Sequence, residues 1–133
     1  MKIDIFKTLI EPILLYGSET WTLTSKQQQR VDGTYTRLLI RVKNISWKRH
    51  PTKQQIYNNL TPVSNIIKRM RIQFAGHCFR ASNEMASKFV LWKPNRSGRR
   101  NSCKMTYPDV IAKDTGISFQ DLGGGNGGQG GLG

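Results

Sequence analysis

His77 and Cys78, with His50 and Cys103, are the side chains of this sequence best suited to hold a transition metal. A structural zinc site takes four such ligands, usually with a Cys-x2-Cys or His-x3–5-His step that lets one turn present two of them. Neither step occurs here. Neighbouring residues also project about 100° apart on a helix, so His77 and Cys78 reach one ion only where a helix breaks. The simpler reading makes Cys78 a buried apolar residue and His77 a hydrogen-bonding or phosphate-facing one. Nucleophilic chemistry at Cys78 would need a base and an orienting acid beside it. The stretch around it supplies no such pair, and no metal or cofactor is expected.

Carboxylates are the second chemistry to weigh. A polymerase or nuclease holds divalent cations against phosphate with clustered acids. Asp4, Glu11 and Glu19 are scattered, Asp109 and Asp114 stand five apart on different faces of a helix, and no Asp-Asp pair exists. The chain is therefore expected not to be an enzyme.

What the sequence has in abundance is positive charge: 21 Lys and Arg against 8 Asp and Glu over 133 residues, a net +13. Between Arg37 and Lys104 stand 16 basic residues and one acid, Glu84, so this block alone carries +15. Ile, Leu, Val, Trp and Phe are interleaved through it, which marks a folded element with a basic face rather than a solvated arm. A charge of this size calls for a polyanion, and Lys and Arg at this density neutralise phosphates. The candidate contacts are Lys43, Lys48, Arg49 and His50 around Trp47; Lys68, Arg69, Arg71 and Arg80; and Arg99, Arg100 and Lys104 after Trp92. Trp47 and Trp92 themselves are expected in the core, with base stacking as the alternative.

These residues need elements to position them. Ile3, Phe6, Leu9, Ile10 and Ile13 keep helical spacing, and Pro12 is expected to kink or split that helix. Gly17 and Ser18 punctuate its end. A longer helix begins after Thr24 or Ser25 with Val31, Tyr35, Leu38, Leu39 and Val42 as its apolar stripe. Thr52 and Gln55 form a capping box ahead of Ile56 and Leu60. Residues 62–80 give the clearest helix, its stripe running through Ile66, Ile67, Met70, Phe74 and Cys78, with Lys68, Arg69, Arg71 and Gln73 mostly off it. Gly76 inside it suggests close packing or a break. Residues 88–92 (KFVLW) read as a brief edge strand or extended segment, and residues 107–113 as a last helix with Pro108 in its first turn and Gly116 as its cap.

The expected fold is mainly α, a small helical domain with at most a short strand. The organisation is an N-terminal segment over 1–24, a basic helical domain over 25–118 and a tail over 119–133. Residues 123–133 hold eight glycines and no charge, so the tail is expected to be disordered. The early apolar stretch, broken by Lys7, Glu11 and Pro12, is too short and too charged for a membrane span. Two cysteines exclude a disulfide-stapled scaffold. A soluble intracellular protein without a membrane partner is expected.

One further pattern emerges from the order of the residues. Residues 14–24, LLYGSETWTLT, resemble a segment downstream of the polymerase core in reverse transcriptases of non-LTR (LINE-type) retrotransposons. The series continues through Arg37-Leu38-Leu39, Asn44-Ile45-Ser46-Trp47 with His50, Arg69-Met70-Arg71 and Ala75-Gly76-His77-Cys78 with Arg80. It then runs through Leu91-Trp92 with Pro94, Gly98-Arg99-Arg100, Thr106-Tyr107 with Asp109 and Asp114-Thr115-Gly116. Together these cover about residues 2 to 118. The resemblance implies a piece of the thumb and post-thumb region of an RNA-directed DNA polymerase. Such a piece holds an RNA/DNA template–primer duplex by its phosphates, in the nucleus, beside a catalytic core that lies upstream in the family. Two departures stand out. Asn101-Ser102 replaces the further Arg-Gly usual after Gly98-Arg99-Arg100, and the glycine tail replaces a Trp-containing helix after Gly116. The chain resembles a truncated piece of such a protein. The alternatives are an independent basic DNA-binding or adaptor protein of helix-turn-helix type, with the helix after Pro62 as reader, and a remnant without function.

Overall fold

The computed structural model describes residues 1–81, 83–92 and 105–117. The expected glycine tail, and the candidate contacts Arg99, Arg100 and Lys104, lie outside the described residues. The described chain is mainly helical, with no strand among its residues. It divides into two compact units, Met1–Phe74 and Ala75–Gly133, so that the boundary falls within one long helix.

The first unit opens with α1 (Lys2–Ile5), a π-helical turn (Phe6–Ile10) and α2 (Glu11–Leu14). Pro12 has no N–H to give and its ring would collide with the carbonyl four residues back. The chain does not split there. It widens one turn earlier, where the Glu11 N–H reaches back five residues to the Phe6 carbonyl. Such a π-turn absorbs a misfit without ending the helix. Gly17, at φ +73°, then reverses the chain in a left-handed conformation that an L side chain adopts only with strain. The reversal buries Ser18, whose hydroxyl meets Met70 Sδ at 3.5 Å.

Thr24 caps α3 (Ser25–Lys43). Its hydroxyl accepts from the Gln27 N–H at 3.3 Å, and the Gln27 side chain accepts from the Thr24 N–H at 2.9 Å. Tyr35 and Leu39 of the expected stripe are buried, with Val31, Leu38 and Val42 packed around them. Ile40 joins the core as well, outside that stripe. α1 packs on α3, and the Phe6 ring meets Tyr35 edge-on at 5.4 Å between centroids. Asn44, at φ 52°, closes α3 in the left-handed conformation. Gly33 differs from Gly17. It lies mid-helix with ordinary backbone angles, and a Cβ there would meet nothing within 4 Å. Gly33→Ala should therefore raise stability by about 0.5–1 kcal/mol, read as a higher urea midpoint at unchanged slope.

After a 3-10 turn at Trp47–Arg49 comes α4 (Lys53–Tyr57), whose Thr52–Gln55 capping box forms as the sequence predicts. Ile56 is buried in the common core with Phe6, Leu15, Leu39, Val63 and Ile67. The N-terminal residues thus share one core with α3, α4 and the start of α5 (Val63–Arg80).

On α5 the residues that go inward are Val63, Ile67, Ala75 and Cys78. Arg71 lies in the same file, four residues from Ile67 and four from Ala75, and is only 6% exposed. Arg71 is expected mostly off the apolar stripe, and arginine is by type a surface residue. Helical position overrides type here. Gly76 neither breaks α5 nor marks a tight approach: a Cβ there would meet only the Arg80 guanidinium, at an ordinary 3.6 Å.

In the second unit, α6 (Met85–Leu91) packs against α7 (Tyr107–Thr115). Residues 88–92 are therefore helical up to Leu91, not an edge strand. A strand needs a partner for its N–H and C=O groups, and none is present among the described residues, whereas a helix satisfies them within itself. α7 keeps Pro108 in its first turn and Gly116 as its left-handed cap. Asp109, five residues before Asp114, accepts from the Thr106 hydroxyl at 2.7 Å and from the Thr106 N–H at 3.1 Å. It caps the helix. Among the described residues no helix is long and apolar enough to cross a membrane.

Candidate nucleic-acid interface

The side of α3 that faces away from the core carries Lys26, Arg30, Arg37 and Arg41, all exposed. At 100° per residue these four fall within about 60° of arc, opposite Tyr35 and Leu39. At 1.5 Å per residue they span about 22 Å, the rise of roughly six base-pair steps. Lys26, Arg30 and Arg37 line a shallow depression together with Gln29, Gly33 and Thr34. The missing side chain at Gly33 leaves this surface open between the charges. The acid of this helix, Asp32, lies on another side and accepts from Gln28 at 3.3 Å. No carboxylate forms a salt bridge with any of the four among the described residues.

These are residues the sequence reading missed. It grouped charges by their closeness in sequence, and the four are spread over sixteen positions, Lys26 to Arg41. Their signal is the helical period, the same one that picks out the apolar stripe on the other side.

The sequence-derived candidates separate into three groups. Lys48, Arg49 and His50 are exposed on and just after the 3-10 turn that follows α3, and Lys68, Arg69 and Arg80 are exposed on α5. Two others point inward. Lys43 is half-buried, and its ammonium donates to the Ile56 carbonyl, tying the end of α3 to α4. Arg71 is buried, so a phosphate on the surface does not reach it. The third group lies outside the described residues. Trp47 and Trp92, expected in the core, are 65% and 66% exposed. Trp21 takes the inner position instead, packed against the first unit's core.

The remaining chemistry is sparse. Cys78 is buried and His77 exposed, so the pair does not converge on one ligand position. No group of three metal-ligating side chains gathers among the described residues. A cleft of about 300 Å³ between the N-terminal helix, α3 and α5 is lined by Lys7, Glu11, Tyr35, Asn65, Arg69 and Gln73. In it the Tyr35 hydroxyl donates to the Glu11 carboxylate at 2.7 Å. Burial, then this bond, hold the phenol well above its ordinary pKa, so Tyr35 stays a donor. That pair joins α2 to α3.

Among known proteins, the chain is similar to a Caenorhabditis elegans protein that carries the name uncharacterized transposon-derived protein, at 24% identity over 122 residues. The match takes in 86% of this chain and 44% of the other, so the chain spans less than half the length of that relative. This distant likeness supports a transposon-related origin. No family model and no solved structure matches.

Proposed function

We propose that this chain is a non-catalytic, nucleic-acid-binding segment of a retrotransposon-encoded RNA-directed DNA polymerase, gripping duplex phosphates with its basic surface. The observation that carries the reading is the α3 stripe: four exposed cations on one face, free of salt bridges among the described residues and spaced along about 22 Å. Backbone contact of this kind is independent of sequence, as a segment that must hold any template requires. The transposon-derived relative and the residue-order resemblance support the retroelement part. The single acid between Arg37 and Lys104 supports the non-catalytic part.

Fluorescence anisotropy with an RNA/DNA duplex tests it. With the stripe, Lys48 and Arg49 each neutralising one phosphate, log K should fall against log salt concentration with a slope of about −5. Salt-insensitive binding overturns the reading. A preference of about 10³ or more for one DNA site points instead to an independent sequence reader. Template-directed synthesis by the purified chain with Mg²⁺ contradicts the non-catalytic assignment.

A further inference from the structure

We infer that Trp47 is a base-stacking platform at the end of the α3 stripe, so that the preferred ligand is a duplex bearing a single-stranded overhang rather than a continuous duplex. The inference rests on the nucleic-acid reading above and narrows its ligand class.

Three observations carry it. Trp47 is 65% exposed, leaving a large apolar ring in water where a tryptophan ordinarily finds a partner. Its backbone, by contrast, is well held. The Ile45 N–H bonds the Ile40 carbonyl at 3.1 Å and Ile45 packs on the core, while the His50 N–H bonds the Trp47 carbonyl at 3.1 Å. The ring is thus presented by a fixed turn, which spares a ligand the ordering entropy of a loose one. The third observation is charge. Lys48, Arg49 and His50 follow it, all exposed, and no acid stands between Asp32 and Glu84. A neutral apolar partner would gain nothing from the cations of Lys48 and Arg49, whereas a base brings its own phosphate. Arg41, the last residue of the stripe, is only six positions away, within about 21 Å even for an extended chain. That reach permits one nucleic acid to lay its duplex phosphates on α3 and its first unpaired base on Trp47, as the inference requires. Stacking on an aromatic tolerates every base, so this adds a preference for strand architecture without one for sequence.

The test compares two ligands of equal phosphate count: a duplex with a normal overhang, and the same duplex whose overhang bears abasic sites. The full chain should bind the first about 5- to 100-fold tighter. Trp47→Ala should erase that ratio and leave the salt slope unchanged, and Trp47→Phe should retain most of it. In a Trp92→Phe background, the normal overhang should quench fluorescence and the abasic one should not. Equal affinity for the two ligands, or a ratio that survives Trp47→Ala, overturns the stacking assignment while leaving phosphate binding standing. Absence of salt-dependent binding to either ligand overturns both. Circular dichroism of Trp47→Ala should match the parent, because the ring lies outside the core.

Discussion

Replacing Lys26, Arg30, Arg37 and Arg41 together by Gln should lower affinity for duplex nucleic acid by about three orders of magnitude at 0.1 M salt. The figure follows from counterion release. Each phosphate contact contributes about 0.9 to the slope of log K against log salt, and so about 0.9 of a decade at 0.1 M. Four contacts give between three and four decades. The slope itself should flatten by about 3.6, which is the more diagnostic readout, because a loss of folding lowers affinity without removing a defined number of ions. Glutamine keeps helix propensity and length while removing charge. The four side chains are exposed, so the variant should fold like the parent. A matched control neutralises Lys2, Lys7, Lys53 and Lys113, also exposed but on other elements. If phosphate binding comes from net charge alone, the two quadruple variants lose equally. If it comes from the stripe, the control loses far less. Equal losses would remove α3 as the interface.

The sequence made some of this plain and hid the rest for identifiable reasons. The cap at Thr52 was legible because a capping box is a local device, closed within four residues, whereas the start of α3 was legible only as Thr24 or Ser25 and its Thr24–Gln27 box came with the structure. The last helix was legible for the same reason: Pro108 and Gly116 act on their own turns. Arg71 was hidden because composition and period disagreed. Its type says surface, its place in the file of Val63, Ile67 and Ala75 says core, and place decides. Residues 88–92 were hidden because a short aromatic and β-branched run is ambiguous between strand and helix until partners are known. The two tryptophans misled by the opposite route. Large apolar residues favour the interior, but the rule runs one way only, and a chain can pack Trp21 partly buried against the core while leaving Trp47 and Trp92 out. The stripe on α3 was in plain view, yet invisible to any count of charges along the chain.

Leu39→Ala should destabilise the first unit by about 2–5 kcal/mol. Leu39 is 0% exposed and lies in the cluster that joins the N-terminal helix, α3, α4 and α5, so truncation leaves a cavity that four elements would have to close. At about 0.05–0.15 kcal/mol per residue, a unit of 74 residues holds about 4–11 kcal/mol in all. The single change removes close to half of that. Trp21 packs against this core, so with Trp47 and Trp92 replaced by Phe its fluorescence follows the first unit alone through a urea titration. The midpoint should fall steeply at unchanged slope. Ile13→Ala removes a comparable side chain that is 78% exposed, and should move the midpoint by no more than about 0.5 kcal/mol equivalent. The pair of variants also separates fold from interface. Leu39 and the basic stripe lie on opposite sides of one helix, so Leu39→Ala should weaken binding only as far as it depopulates the folded unit. Its salt slope under folding conditions should equal that of the parent, while the Gln variant of the stripe should keep its midpoint and lose its slope. A slope lost with Leu39→Ala in a unit still folded would mean that the cations act through the packing of α3 and not as a rigid row upon it.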